Sequence, residues 1–199
     1  MLRPENLAAL VGVLRRKLHG RKHLKMCISL GPFQTTPLDT TLPEGYRFTT
    51  YDPKYLEESL SNLNRVGNLG FWTESRFNQD VLATVSCFED ILLITYQDQV
   101  VGMCVSHQKP VKLNDVEIGF IYVDHRHRGK GLGKRIIQGS LNYLAQSGVE
   151  HCHLYTDAFR QSALTAYFKL GFEAVALEDP KDQRWKIVQE KVVKPSEKT

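Results

Sequence analysis

The alternation of apolar and polar positions along the chain predicts a mixed α/β domain. Short alternating or apolar runs predict strands at YRFTTYD, ILLITYQ, VVGMCVSHQ, VEIGFIYVD and HCHLYT, and near the end of the chain at FEAVAL and WKIVQEKVV. Apolar residues recur with helical spacing in residues 53–68, 73–85, 131–146 and 162–170. The resulting order, β-α-α-β-β-β-α-β-α-β-β, combines early antiparallel hairpins with late βα units.

The first 44 residues differ in pattern from the rest. Residues 5–18 have the spacing of a short amphipathic helix, followed by a basic run and the Pro- and Thr-rich stretch GPFQTTPLDTTLPEG. We therefore predict an N-terminal extension over residues 1–44, a compact domain over residues 45–193 and a loose tail over residues 194–199. The basic helix could meet a membrane surface or an acidic partner, and packing against the domain is the simpler expectation.

Composition mainly excludes classes of protein. The 199 residues, 42% hydrophobic and 24% charged, suit one ordinary soluble domain. The net charge of +4 permits an anionic ligand without requiring nucleic acid. The four cysteines form no CxxC pair, which favours a reducing, cytoplasmic setting. No apolar run reaches the length of about 18 residues that a membrane span needs.

A basic, glycine-rich run, HRHRGKGLGK, follows the strand VEIGFIYVD and opens the next helix. A helix N-terminus presents unpaired N–H groups and partial positive charge, and glycines let a phosphate approach the backbone. The spacing Gly129-x-Gly131-x-Gly133 fits neither the dinucleotide fingerprint nor the phosphate loop of NTPases. What the run does contain is Arg128-x-x-Gly131-x-Gly133.

Together with its strand, EIGFIYVDHRHRGKGLGKRII resembles the acetyl-CoA-binding motif of the GNAT superfamily of N-acetyltransferases. Downstream, LYTDAFRQSALTAYFKLGF resembles that family's strand–helix element, which ends in Tyr-x-Lys-Leu-Gly-Phe, here residues 167–172. The resemblance implies a central, mostly antiparallel sheet that splays into a V between its fourth and fifth strands. Acetyl-CoA is expected in that cleft, its pantetheine arm pairing with the backbone of residues 121–123 like an added strand.

The resemblance also implies which residues bind the cofactor: Ile121, Val123, Arg128, Gly129, Lys130, Gly131, Leu132, Gly133, Lys134 and Arg160. The pyrophosphate is expected on the N–H groups of residues 129–134. Two positions depart from the family pattern. Arg160 stands where many members have Asn, and either meets a CoA phosphate or faces solvent. His125 replaces a common Pro.

Acetyl transfer requires a neutral amine, and a lysine-like amine has a pKa of about 10.4, so a base or a desolvating pocket is needed. Glu117 is the candidate base, at a position where some family members carry a catalytic Glu. In a regular strand it shares a face with Gly119, Ile121 and Val123. The alternative is a solvent-exposed or ion-paired Glu. Tyr167 matches the family Tyr and is the candidate general acid for the CoA sulfur; the alternative is a core Tyr.

Two further features carry hypotheses. Phe71 and Trp72, between the two early helices, either line an apolar acceptor pocket or pack in the core. The pairs His125/His127 and His151/His153 supply too few convergent ligands for zinc, so no metal is predicted.

The sequence thus predicts an N-acetyltransferase that moves the acetyl group of acetyl-CoA to a primary amine of a small molecule, protein N-terminus or lysine. The alternative is a non-catalytic acyl-CoA-binding module, and the presence of both Tyr167 and Glu117 argues against it. The chain is expected to be a monomer or a homodimer.

Overall fold

A computed structural model describes residues 23–66, 70–107, 115–175 and 184–188. Its elements, in chain order, are β1 (Leu24–Ser29), α1 (Gly31–Thr35), β2 (Tyr46–Thr50), α2 (Leu56–Val66), α3 (Glu74–Asp80), β3 (Ile91–Tyr96), β4 (Gln99–His107), β5 (Asp115–Val123), α4 (Leu132–Gln146), β6 (His151–Thr156), α5 (Gln161–Lys169), β7 (Glu173–Ala174) and α6 (Arg184–Val188). The predicted helix over residues 5–18 and the tail over residues 194–199 lie outside the described residues.

The seven strands form one sheet in the order β2-β3-β4-β5-β6-β1-β7. Its pairings are antiparallel except for β5 with β6, which confirms the predicted mixed, mostly antiparallel sheet. The parallel pairing runs only from Asp115 opposite His151 to Glu117 opposite His153. Because β5 continues to Val123, the two strands diverge beyond Glu117 and open the predicted V.

Strand β1 is the main difference from the prediction, which placed residues 1–44 in an extension. It lies between β6 and β7, with Leu24, Met26 and Ile28 buried. Only three apolar positions alternate there, between a basic run and a Pro- and Thr-rich stretch, so the local pattern is weak. Pairing with β6, more than 120 residues away, creates the strand. The sheet therefore includes residues N-terminal to the predicted boundary at residue 45.

The residues after β1 are tied to α4. The side chain of Asn142 donates to the carbonyl of Leu38 and accepts from its N–H, both at 2.8 Å. Arg135 pairs with the carboxylate of Asp39 at 2.7 Å. These contacts hold the Pro- and Thr-rich stretch against the domain.

The C-terminal run WKIVQEKVV, predicted as a strand, begins instead as helix α6. Trp185 and Val188 are both buried, and a spacing of three residues puts them on one helical face. The indole Nε1–H of Trp185 donates to the carbonyl of Val175 at 2.8 Å. A short apolar run fits strand or helix equally well, so only packing decided between them. Residues 189–193 lie outside the described residues.

Apolar residues cover both faces of the sheet. One core packs α4 and α5 against it, using the predicted α4 positions, among them Leu132, Ile136 and Leu141. The other packs α2 and α3 against the opposite face, around Leu63 and Phe77.

A bulge in β5 overturns the predicted alternation at Glu117. Phe120 has φ +49, and the register with β4 shifts between Met103 and Val105. Val116 and Ile118 face the α4/α5 core before the bulge, and Ile121 packs against that same core after it. Glu117 therefore faces the α2/α3 side with Gly119, and Ile121 and Val123 do not share its face.

Candidate active site

A cavity of about 510 Å³ lies where β5 and β6 separate. Six of the predicted site residues line it: Ile121, Val123, Arg128, Gly133, Arg160 and Tyr167. Seven further lining residues were not predicted from the sequence, namely Tyr122, Ile137, Phe159, Gln161, Ser162, Ala163 and Ala166. Four of the seven belong to α5, and their place just before the Tyr-x-Lys-Leu-Gly-Phe element was the available signal.

The glycine-rich run forms one end of this cavity. Gly129 and Gly131 have φ +78 and +76, and a Cβ at either would meet nothing within 4 Å, so their backbone is open. Helix α4 begins directly after Gly131 with no side-chain cap. The N–H groups of its first turn therefore have no intrahelical acceptor and carry the positive end of the helix dipole. Arg128 lines the cavity, and its Nε donates to the carbonyl of Val123 at 3.2 Å.

Several predicted residues have side chains that point away from the cavity. The ammonium of Lys130 donates to the hydroxyl of Tyr46 on β2 at 2.8 Å. Leu132 is buried in the core, and Lys134 is exposed in the first turn of α4. The side chains of these three residues therefore do not line the cavity, and their binding of a cofactor stays a prediction.

A buried carboxylate anchors the glycine-rich run. Asp124, directly after β5, accepts from Arg65 of α2 and from Arg126, each at 2.8 Å, and from the N–H of Arg126 at 3.0 Å. Its side chain is 0% exposed. Burial alone would raise the pKa of Asp124, but the hydrogen bonds from Arg126 and the charges of Arg126 and Arg65 outweigh it and lower this pKa to about 2. The sequence near Asp124 does not indicate this ion pair, because Arg65 lies 59 residues away.

Tyr167 lines the cavity from α5 and is only 3% exposed. Its ring meets that of Phe172 edge-on, with centroids 5.9 Å apart. Burial raises the pKa of Tyr167. The phenol is therefore protonated near neutral pH and able to donate.

Glu117 does not line the cavity. It lies at the closed end of the V, on the α2/α3 face, and its Oε2 is 3.9 Å from Nε2 of His153. His107 of β4 is its cross-strand partner. A Cβ at Gly119 would lie 2.9 Å from Nε2 of His107, so the glycine makes room for this imidazole.

Phe71 and Trp72 occupy different environments. Phe71 is 49% exposed, whereas Trp72 is 3% exposed and meets Phe120 edge-on with ring centroids 4.9 Å apart. Asn64 holds the backbone of Trp72 through two hydrogen bonds of 2.7 and 2.9 Å. Trp72 thus packs beside the bulge of β5, and its place in an acceptor pocket stays a prediction.

The histidine pairs do not converge on a metal position. His127 contacts the hydroxyl of Tyr46 at 2.9 Å, and His153 contacts Asp115 at 2.7 Å. Across the described ranges, no group of three or more His, Cys, Asp or Glu side chains is arranged to hold a metal ion. No helix in the described part of the chain combines the length and apolarity needed to cross a membrane.

Residues 46–172 match the sequence profile of the acetyltransferase (GNAT) family. The chain belongs to this family. It is 28% identical over 151 residues to a mycothiol acetyltransferase of Kocuria rhizophila, covering 70% of this chain and 50% of that protein. It is 31% identical over 146 residues to the mycothiol acetyltransferase of Saccharomonospora viridis, covering 67% and 48%. The chain thus spans about half the length of these curated relatives.

Solved structures of GNAT proteins share the fold. A GCN5-related N-acetyltransferase from Sphaerobacter thermophilus has a TM-score of 0.61 at 21% identity, covering 83% of this chain and 53% of that one. The ribosomal-protein-S18-alanine N-acetyltransferase from Escherichia coli has a TM-score of 0.55 at 19% identity, covering 66% and 79%.

Proposed function

We propose that this chain transfers the acetyl group of acetyl-CoA to a primary amine. The observation that carries the proposal is a single cavity lined at one end by Arg128 and Gly133 and elsewhere by the buried phenol of Tyr167. Such a cavity offers an anion site for the pyrophosphate and a proton donor for the leaving thiolate.

The split between β5 and β6 supports the binding mode. Beyond Glu117 the two strands no longer pair, so the β6-facing edge of β5 is available to the amide groups of a pantetheine arm. The pyrophosphate rests on the N–H groups of residues 129–134. Arg128 and Arg160, both on the cavity wall, supply positive charge for the phosphates.

In the proposed reaction the acceptor amine and acetyl-CoA approach from opposite faces of the sheet, where β5 and β6 separate. The acceptor approaches from the α2/α3 side, where Glu117 takes a proton from its ammonium group. The neutral nitrogen attacks the thioester carbon, a backbone N–H near Val123 stabilises the oxyanion, and the C–S bond breaks. Tyr167 gives its proton to the departing sulfur and recovers one from the newly acylated nitrogen, so one proton in all leaves for solvent.

The acceptor class follows from charge. Asp115 and Glu117 both lie at the closed end of the V, which favours a cationic amine. The names of related proteins suggest two acceptors to test, namely glucosamine and a peptide with N-terminal alanine. A lysine peptide and simple diamines complete the panel as further primary amines. Phe71 and Trp72 are the proposed apolar wall of that site. The free cysteines suit a reducing, cytoplasmic setting.

The test is a thiol-release assay with acetyl-CoA and this panel. Tyr167→Phe is expected to lower kcat by about 100-fold or more with unchanged acetyl-CoA affinity, because only the transferable proton is lost. If the protein binds acetyl-CoA and Tyr167→Phe leaves thiol release at the wild-type rate, the acid is misassigned. Binding without turnover for any amine supports the acyl-CoA-binding module instead.

A second pair of variants tests the cofactor site. Gly131→Glu is expected to abolish acetyl-CoA binding in calorimetry, because bulk and negative charge enter the pyrophosphate site. Gly131→Ala is the matched control: it carries the same backbone strain of about 1–2 kcal/mol without the charge. Equal affinities in Gly131→Glu and wild type would contradict the site.

A further inference from the structure

The closed end of the V holds a histidine between two carboxylates. Asp115 and Glu117 come from β5, and His153 comes from the neighbouring β6. Nδ1 of His153 lies 2.7 Å from Oδ1 of Asp115, and Nε2 lies 3.9 Å from Oε2 of Glu117. The three side chains are 26%, 29% and 13% exposed for Asp115, Glu117 and His153, so the cluster is half-buried with an opening to solvent.

The two distances indicate which ring nitrogen of His153 donates a hydrogen bond and which one can accept a proton. An ionised carboxylate only accepts hydrogen bonds, so Asp115 accepts from Nδ1–H of His153. In the neutral ring the other nitrogen, Nε2, then carries the lone pair. That nitrogen is the one that faces Glu117. The pair is thus arranged to receive a proton from the side of Glu117.

We propose that His153 and Asp115 form a proton relay for Glu117; this inference rests on the proposed acetyl transfer. The ammonium group of the acceptor gives one proton to the carboxylate of Glu117. The protonated Glu117 passes it to Nε2 of His153, and Asp115 stabilises the resulting imidazolium through Nδ1–H. The imidazolium releases the proton to solvent, which resets both residues. Tyr167 handles the separate proton that the sulfur takes up.

In this scheme only Glu117 touches the acceptor. His153 and Asp115 act through Glu117 by removing the proton that Glu117 has accepted, so they are positioning residues. The distance of 3.9 Å between Glu117 and His153 exceeds a direct hydrogen bond. Contacts between catalytic groups commonly tighten when substrate binds, or are bridged by one water. The proposed relay therefore requires either a turn of the Glu117 side chain or one bridging water to close this gap.

Other titratable groups surround the imidazole. Cys27 of β1 is opposite His153 in the sheet register, and Lys25 is opposite Tyr155. The ring of Tyr155 meets that of His153 edge-on at 5.6 Å. His151 lies two residues earlier on β6, and His107 of β4 pairs with Glu117. Within the described residues, the ion pairs of His153 are those with the two carboxylates.

The test measures kcat and KM against pH by thiol release, with the amine from the panel that wild type turns over fastest. His153→Gln is expected to lower kcat by about 10-fold to 100-fold with the KM of acetyl-CoA unchanged. Because the relay makes His153 a carrier of the proton that Glu117 accepts, the pH profile of kcat in His153→Gln is expected to differ from that of wild type. Asp115→Asn should lower kcat in the same direction by a smaller factor. His151→Gln, on the same strand and exposed, is the matched control and keeps the wild-type profile.

A double variant separates a relay from independent effects. Because a relay acts in series, Glu117→Gln with His153→Gln should be no slower than Glu117→Gln alone. If the double variant loses kcat by the product of the two single-variant factors, the relay is overturned and the proposed function is not. The same holds if wild type turns over and His153→Gln keeps its pH profile. A wild-type protein that releases no thiol with any amine overturns the proposed function and the relay together. If His153→Gln unfolds at a lower temperature than wild type, the same comparison of kcat and pH profile is made with Asp115→Asn.

Discussion

Replacing Asp124 with Asn removes the negative charge that pairs with Arg65 and Arg126 at the end of β5. The carboxylate has an ordinary pKa of 3.8 and a folded pKa of about 2. One pKa unit corresponds to about 1.4 kcal/mol, so the difference is worth at most about 2.5 kcal/mol of stability. Because Arg126 is 57% exposed, solvent screens part of the attraction, and we expect about 1–2.5 kcal/mol.

The sign of the pH dependence follows from linkage. The folded protein binds the Asp124 proton more weakly than the unfolded chain. The stabilisation is therefore fully present above pH 3.8 and is lost as the pH falls through about 2. The free energy of unfolding should be lower in Asp124→Asn than in wild type at pH 6. That difference should shrink by about 1–2 kcal/mol between pH 5 and pH 2.

Urea unfolding of both proteins from pH 2 to pH 6 measures the difference directly. Asp98→Asn is the matched control, since Asp98 also pairs with an arginine, Arg47, at 3.0 Å but is 87% exposed. Exposed pairs contribute little, so its unfolding curve should follow wild type at every pH. A stability difference between Asp124→Asn and wild type that stays constant down to pH 2 would refute the electrostatic account of this anchor.

Two further predictions concern the stretch after β1 and the cysteines. Asn142→Ala removes both hydrogen bonds to Leu38 and should lower the free energy of unfolding by about 1–3 kcal/mol in urea; an unchanged midpoint would show that the stretch after β1 is held by other contacts. Native protein treated with a thiol reagent at pH 8 should react at the exposed Cys87 and not at Cys104 or Cys152, which are fully buried. Burial raises the pKa of the Cys104 thiol to about 12, so rapid native labelling there would contradict the packing, and unfolded protein is the positive control.

The active-site motifs were readable in the sequence because their information is local. The spacing from Arg128 to Gly133 places a glycine-rich turn at a helix start, and the cavity wall includes both residues. The Tyr-x-Lys-Leu-Gly-Phe register put Tyr167 on the same cavity. The periodicity of α4 predicted its buried face, since a helix repeats its own pattern whatever it packs against.

The contacts that complete the site come from residues far apart in the chain. Nothing near Asp124 indicates Arg65, 59 residues away, and nothing near His153 indicates Asp115, 38 residues away. The β5 bulge at Phe120 does have one local signal, since an isolated glycine inside a strand pattern can mark a bulge and Gly119 directly precedes Phe120. The glycine alone does not indicate which of the following residues change face.

The family, the mixed sheet, and the helix and glycine turn proposed to bind the cofactor could all be predicted from the sequence. Tertiary structure decided that residues 24–29 join the sheet and that Glu117 faces away from Val123. It also brought His153 between two carboxylates. The physical reason is that helix periodicity and turn chemistry depend on neighbours in the chain, whereas strand register and ion pairing depend on which distant strand lies alongside.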